Sequence, residues 1–165
     1  MNWRDYILSA ISVACTIFSI IGAYKSNVYY RKSKQLTIYA NTNSAYIESQ
    51  KIIATLTEML KLGNVNGKQR GTNYMKAVNQ NGESIKNSII KIRESLPVDD
   101  FNEINDLLNS QQQKVEVYID TFITGTVLVD EKLVIDDNFN KCQQKFCDMQ
   151  LLIKNKLENI SENLK

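Results

Sequence analysis

The segment between residues 63 and 73 has the composition of a loop that holds an anion. It contains three of the six glycines in the 165-residue chain, together with one lysine and one arginine. Glycines let backbone amides approach a ligand closely, and a loop leading into a helix presents unpaired N–H groups to negative charge. Lysine adds charge and arginine a bidentate fork for phosphate. We predict an anionic ligand such as a nucleotide at Lys68, Arg70, Gly71, Thr72 and Asn73; the alternative is a solvated turn between helices.

No combination of residues for catalysis stands out. The chain has no histidine, which removes the commonest general base and metal ligand. The serines and cysteines therefore lack the usual partner of a nucleophile, and the three cysteines match neither a zinc site nor a disulfide framework. Three carboxylate pairs occur: Asp99/Asp100, Asp130/Glu131 and Asp136/Asp137. The first and the third lie where a helix needs an N-cap. We predict no enzyme activity, no metal and no cofactor, and the sequence gives no evidence for DNA binding.

Charge is distributed unevenly along the chain. Residues 25–93 hold 12 Lys/Arg against 3 Asp/Glu, whereas residues 94–137 hold 2 Lys against 11 Asp/Glu. Such stretches attract each other when they pack as antiparallel helices, or they form two faces for different partners.

An apolar run near the N-terminus predicts a membrane anchor. Residues 6–24 contain no charge over 19 positions, which as a helix covers about 28 Å, close to the thickness of a bilayer core. Aromatic residues flank both ends, and four basic residues follow: Lys25, Arg31, Lys32 and Lys34. This bias predicts a single pass through the cytoplasmic (inner) membrane, with the N-terminus outside and residues 25–165 in the cytoplasm. A cleaved signal peptide is the alternative, but its basic flank should precede the apolar run.

Apolar periodicity predicts an all-α fold with four helical segments. The first continues from the membrane through Leu62, with an apolar and small-residue heptad that suits packing against copies of itself or against later helices. The others cover 72–96, 99 or 100 to 122, and 136 or 137 to the C-terminus, and a short β-hairpin is possible near 126–135. We divide the chain into an anchor (1–24), a helical stalk (25–62) and a helical domain that packs on the stalk (63–165).

This arrangement resembles the small membrane effectors of prokaryotic antiviral systems, which include CRISPR-associated proteins that respond to cyclic oligoadenylate. The resemblance is architectural, resting on the anchor 6–24, a stalk, a compact helical domain and no catalytic residues. It implies a nucleotide messenger bound at a subunit interface and transmembrane helices that rearrange in response.

Two functional hypotheses follow from the sequence. The first is a homo-oligomeric, membrane-anchored sensor or effector whose cytosolic domain binds an anionic ligand, plausibly a cyclic nucleotide in antiviral defence, and acts through its membrane span. The second is a membrane-tethered adaptor or scaffold that binds another protein through its helical domain, with acidic residues such as Glu103 and Asp106 making the contact.

Overall fold

The computed structural model describes residues 3–63, 74–110, 114–129 and 132–164. In these ranges the chain forms five helices and one short hairpin, which confirms the all-α prediction. In chain order the elements are α1 (Trp3–Gly63), α2 (Tyr74–Ser95), α3 (Val98–Asn109), α4 (Val115–Thr124), β1 (Leu128–Val129), β2 (Lys132–Leu133) and α5 (Asp137–Glu162).

Helix α1 is uninterrupted over 61 residues, which corresponds to about 90 Å at 1.5 Å per residue. Its side chains are exposed almost throughout residues 6–37, and burial begins near Ile38 and Thr42. The predicted boundary at residue 24 therefore lies inside one continuous helix, whereas the boundary at 62 falls at its end. The division into anchor, stalk and domain stays a prediction.

A buried inner seam runs along the second half of α1. Its members recur at spacings of three and four and are all fully buried: Thr42, Ala45, Ser49, Ile52, Leu56 and Met59. The hydroxyls of Thr42 and Ser49 donate to the carbonyls of Ile38 (2.9 Å) and Tyr46 (2.7 Å), so they need no partner across the interface. Helices α2 and α5 pack against α1 here. The heptad pattern is thus covered by later helices of the same chain.

The predicted third helix, from Asp99 or Asp100 through Phe122, is wrong as a single element. Helix α3 ends at Asn109, the backbone of Ser110 is extended, and α4 begins at Val115 after an extended Lys114. The last carbonyls of α3 are bound from another helix, because the Lys145 ammonium of α5 donates to the carbonyls of Leu108 (3.0 Å) and Ser110. The break lets α3 pack chiefly on α5 while α4 packs on α2.

The predicted start of that helix is also corrected. Pro97, not Asp99 or Asp100, occupies the N-cap position of α3, without a side-chain cap, since its fixed φ suits a helix start. Both aspartates lie in the first turn, where the helix dipole favours negative charge. Asp100 and Glu103 each form an ion pair with Lys156 of α5 at 2.8 Å.

The hairpin and the start of α5 agree with the sequence predictions. Strands β1 and β2 pair antiparallel with Leu128 opposite Leu133, inside the predicted range 126–135. Helix α4 ends at Thr124, and the next residue, Gly125, caps it in a left-handed conformation with φ of 73° before the hairpin. Asp136 caps α5 by accepting the Phe139 N–H at 2.9 Å.

The bundle core is apolar and rich in aromatic rings. The Phe122 ring meets those of Tyr118 and Phe139 edge-on, with centroids 5.0 and 6.2 Å apart. Gly82 of α2 lies directly against α4, because a Cβ placed there would be 3.0 Å from the Phe122 Cβ. At the surface, Lys86 from the basic part of the chain pairs with Asp120 from the acidic part at 3.0 Å. This pair joins α2 to α4, as the charge distribution predicted.

Candidate docking cleft and membrane helix

The predicted anion site lies outside the described residues. Lys68, Arg70, Gly71, Thr72 and Asn73 all fall between Gly63, which ends α1, and Tyr74, which begins α2. In chain order the segment thus joins the last turn of α1, which belongs to the bundle, to the start of α2. Its role in ligand binding stays a prediction.

The first half of α1 is long and apolar enough to cross a membrane by length and composition. None of its most apolar 18-residue window is buried inside the protein. Large apolar side chains such as Phe18 and Ile20 are about two-thirds exposed or more. Such a continuous apolar surface is unfavourable in water and favourable in lipid. The four basic residues after the run, from Lys25 to Lys34, are exposed as well.

A cleft of about 380 Å³ opens between α2, α3 and α4. Ile89 and Ile90 of α2 contribute one wall, Val98 and Phe101 of α3 another, and Glu116 of α4 a third. A smaller depression of about 150 Å³ shares Ile89, Ile90 and Glu116 with it, so the two form one groove along α2. From here on, the cleft means this whole groove, with both depressions.

The apolar part of the cleft is open to solvent. Ile90 is 46% exposed and Val98 is 76% exposed, although both are large aliphatic side chains. The Ile119 side chain is fully buried beneath the smaller depression and closes its floor. An apolar surface that is accessible and concave is typical of a binding groove, whereas single scattered apolar residues are ordinary.

Charged groups line the cleft in a defined pattern. The Arg93 guanidinium lies 5.7 Å from the Phe101 ring centroid and so covers an aromatic face. Lys86 is held by Asp120 at the end of the groove. Glu116 is exposed in the part that both depressions share, and it has no ion-pair partner among the described residues. Among the described residues the groove thus offers one carboxylate, Glu116, and one guanidinium, Arg93, without ion-pair partners, beside its apolar side chains.

Other ionisable groups in the bundle have structural roles. The Glu48 carboxylate of α1 accepts from the Ser88 hydroxyl (2.8 Å) and from Lys91 (3.4 Å), both on α2. Burial alone would raise the pKa of Glu48, but the Ser88 hydrogen bond and the charges of Lys51 and Lys91 lower it below its usual value. The group therefore stays ionised and joins α1 to α2.

The buried thiol of Cys142 is not activated. Burial raises the pKa of Cys142 to about 12, so its nucleophilic thiolate is scarce near neutral pH. Burial also raises the pKa of Tyr118, with a smaller contribution from Asp136, which accepts its hydroxyl at 3.4 Å. Within the described ranges no group of three or more Cys, Asp or Glu side chains is arranged to hold a metal ion.

The sequence prediction missed the cleft. Phe101 lies within the range predicted as the third helix, and the structure places it half-buried in the cleft wall. Glu103, proposed as a partner contact, is held by Lys156 at 2.8 Å. The available signal was the pair Ile89–Ile90, since two adjacent isoleucines in a helix cannot both face the same core.

Comparison with known proteins identifies no relative. No protein-family model matches this chain, and neither a curated protein nor a solved structure is significantly similar to it.

Proposed function

We propose that this protein is a membrane-tethered adaptor whose helical bundle binds a basic amphipathic helix of a partner protein in the cleft. The observation that carries the proposal is the open apolar surface around Ile90 and Val98 with the uncompensated Glu116 inside it. An amphipathic helix can fill such a groove with apolar side chains at i, i+3 or i+4, and i+7. One lysine or arginine on that helix pairs with Glu116.

Charge around the cleft supports a basic partner. Three exposed carboxylates directly adjoin cleft residues in the sequence: Glu94, Asp99 and Asp106. Of the nearby cations, Lys86 pairs with Asp120 and Lys91 with Glu48, whereas Arg93 lies over the Phe101 ring. The three carboxylates raise the local concentration of a cationic segment and favour it over an acidic one, an effect that weakens with salt. In this proposal Asp106 acts through its charge, while Glu103 remains occupied by Lys156.

The membrane helix gives the adaptor its location. We propose that residues 6–24 span the cytoplasmic membrane with the bundle on the cytoplasmic side, because exposed Lys25, Arg31, Lys32 and Lys34 follow the apolar run. A reporter enzyme active only in the cytoplasm, fused after Lys165, should be active. A reporter active only on the outer side should be active at the same point if the orientation is reversed.

The docking test uses the full chain in nanodiscs of neutral phosphatidylcholine. A displayed library of helical peptides is selected on these discs and depleted on empty discs, which removes peptides that bind lipid. Enriched peptides should share an apolar stripe and at least one lysine or arginine. Their affinity should fall at least about tenfold on Ile90→Asp or Glu116→Lys, as for contacts of roughly 1.4 kcal/mol or more.

The control for this experiment is Leu151→Lys, because Leu151 is also an exposed aliphatic residue but lies on α5 outside the cleft. It should leave peptide affinity unchanged. Enriched peptides that bind the Ile90 and Glu116 variants as well as the wild type would rule out the cleft as the docking site.

A second function is favoured by one feature of the chain order. Residues 64–73 join the membrane helix to α2, so a ligand bound there acts directly on the end of α1. We propose in this case an oligomeric effector that receives an anionic nucleotide, of the kind that antiviral membrane effectors bind, through Lys68 and Arg70.

The effector is tested by thermal unfolding of the full chain in mild detergent at low salt, against linear and cyclic nucleotides. Ligand at 100 times its dissociation constant should stabilise the fold by about 2.7 kcal/mol. The shift should disappear in Lys68→Ala/Arg70→Ala. A nucleotide shift that persists in this double variant would exclude the loop, and a flat response across the panel would favour the adaptor.

A further inference from the structure

Helix α1 carries a second ordered face, opposite the inner seam. Five exposed residues define this outer face, at spacings of seven, four, seven and seven: Tyr29, Leu36, Ala40, Ile47 and Ala54. At 100° per residue they lie within about 40° of one another around the helix and roughly opposite the seam. Leu36 is 57% exposed and Ile47 is 54% exposed. An apolar stripe on the solvent side of a helix indicates a partner.

The outer face is also free of charge along its centre. Between Ser33 and Gln50 the only charged residues of α1 are Lys34 and Glu48. Lys34 projects from the far side of the helix by its position in the turn. Glu48 turns toward α2, where it accepts from Ser88. A water-facing stretch of about five turns therefore presents only apolar, small and uncharged polar side chains.

The same face continues into the apolar run. Ile11, Cys15, Phe18 and Gly22 follow one another at spacings of four, three and four, and they lie on the same side of α1 as Tyr29 and Leu36. Gly22 has no atom within 4 Å of where its Cβ would be, so this part of the span is open to close approach by another helix. The ordered face is thus about 44 residues long, or about 66 Å.

We propose that two copies of this chain pair through the outer faces of their α1 helices, parallel and in register. A partner that matches the whole face must be a helix that crosses the membrane at the same depth and continues about 45 Å beyond it. Helix α1 of a second copy meets this requirement. Because both copies insert in the same direction, each residue of the face meets its own counterpart around a two-fold axis, and between residues 33 and 50 the facing side chains are uncharged. The exposed Lys25 and Lys51 lie at the edges of the face.

The uncovered section of α1, residues 25–37, supports the same conclusion. No other described element packs on it, and Tyr29 and Leu36 are both more than half exposed. Pairing of two copies buries these side chains without displacing any helix of either bundle, because the inner seam is already occupied by α2 and α5. The proposal concerns a different surface from the cleft, so it stands or falls independently of the adaptor function.

The pairing is tested by cysteine cross-linking of the full chain in native membranes, in a cysteine-free background that combines Cys15→Ser, Cys142→Ala and Cys147→Ser. Single cysteines replace Tyr29, Ser33 or Leu36 on the outer face, and Arg31 or Lys34 on other sides of the helix. All five positions are exposed in one copy, so accessibility alone predicts equal reaction. Mild oxidation should give disulfide-linked dimers several-fold more abundantly at 29, 33 and 36 than at 31 and 34.

A second measurement separates pairing from chance collision. Ile47→Lys introduces like charge at the two-fold axis and should reduce cross-linking at position 36 several-fold. Leu151→Lys changes an equally exposed aliphatic residue on α5 and should leave it unchanged. Equal cross-linking at all five positions, dimers favoured at 31 or 34, or products containing only another protein would each overturn the proposal.

Discussion

Replacing Gly82 by alanine sets two effects of opposite sign against each other. Gly82 lies in the middle of α2, where alanine favours the helix by about 1 kcal/mol over glycine. The same position faces α4 at close range, and an added Cβ would lie 3.0 Å from the Phe122 Cβ and from the Ile123 Cγ1, and 3.2 Å from the Ile123 backbone N. The sign of the stability change therefore reports how rigidly α2 and α4 are packed.

The packing term should be the larger. Carbon atoms in contact are ordinarily about 3.5–4.0 Å apart, so the new methyl group is about 0.5 Å too close to two of its neighbours. The Ile123 side chain can rotate away, but the Phe122 Cβ belongs to a fully buried side chain and the Ile123 nitrogen to the backbone of α4. Overpacking of this kind costs about 1–3 kcal/mol. We expect Gly82→Ala to lower the free energy of unfolding by about 1 kcal/mol after the helix gain is subtracted.

The assay is urea unfolding of the full chain in mild detergent, followed by far-ultraviolet circular dichroism. The matched control is Asn87→Ala, which raises the helix propensity at an exposed position of the same helix and should not destabilise the bundle. Gly82→Leu should be more destabilising than Gly82→Ala. If Gly82→Ala instead raises the unfolding free energy by about the 1 kcal/mol of helix propensity, the close contact between α2 and α4 is wrong.

Four further outcomes are expected from particular contacts. Asp136→Ala removes the cap of α5 and should cost about 1 kcal/mol in urea unfolding, while Asp136→Asn should retain most of it. Because its pKa is lowered in the folded state, ionised Glu48 stabilises the fold at pH values above the ordinary Glu pKa of 4.5, and this stabilisation is lost as the pH falls through the folded pKa. Glu48→Gln should therefore flatten the acid dependence of the melting temperature. Because its pKa is raised in the folded state, charged Lys156 stabilises the fold at pH values below the ordinary Lys pKa of 10.5, and this stabilisation is lost as the pH rises through the folded pKa. Lys156→Met should therefore flatten the alkaline pH dependence of the melting temperature. A fragment of residues 31–165 should unfold cooperatively by circular dichroism, because burial along α1 begins near Ile38.

Long helices with one dominant period were predictable from the sequence. The inner seam of α1 follows from the predicted heptad, because apolar and small residues repeat every seven positions over several turns. The start of α5 was predictable for a local reason, since Asp136 provides its own cap three residues before Phe139. Both features depend on residues close together in the chain.

The break between α3 and α4 was not predictable in the same way. The apolar stripe continues in phase from Phe101 to Phe122, so periodicity alone favours one helix. What ends α3 is partly a distant residue, Lys145, which binds its last carbonyls from 35 or more positions away. The cleft depends on this break, because its walls come from both α3 and α4. A site formed by a tertiary interaction leaves little trace in local sequence.

The continuity of α1 limits how the protein can use its cleft. One helix supplies both the apolar run and the inner seam of the bundle, with no glycine or proline between Gly22 and Gly63 to act as a hinge. The uncovered residues 25–37 hold the bundle about 20 Å beyond the apolar run. In the proposed adaptor, a partner helix bound in the cleft is therefore held at a fixed distance from the membrane, and a rotation of the bundle is transmitted to the apolar run. In the proposed pair, where the outer face of α1 extends over both sections, such a rotation would change the contact between the two copies along its whole length.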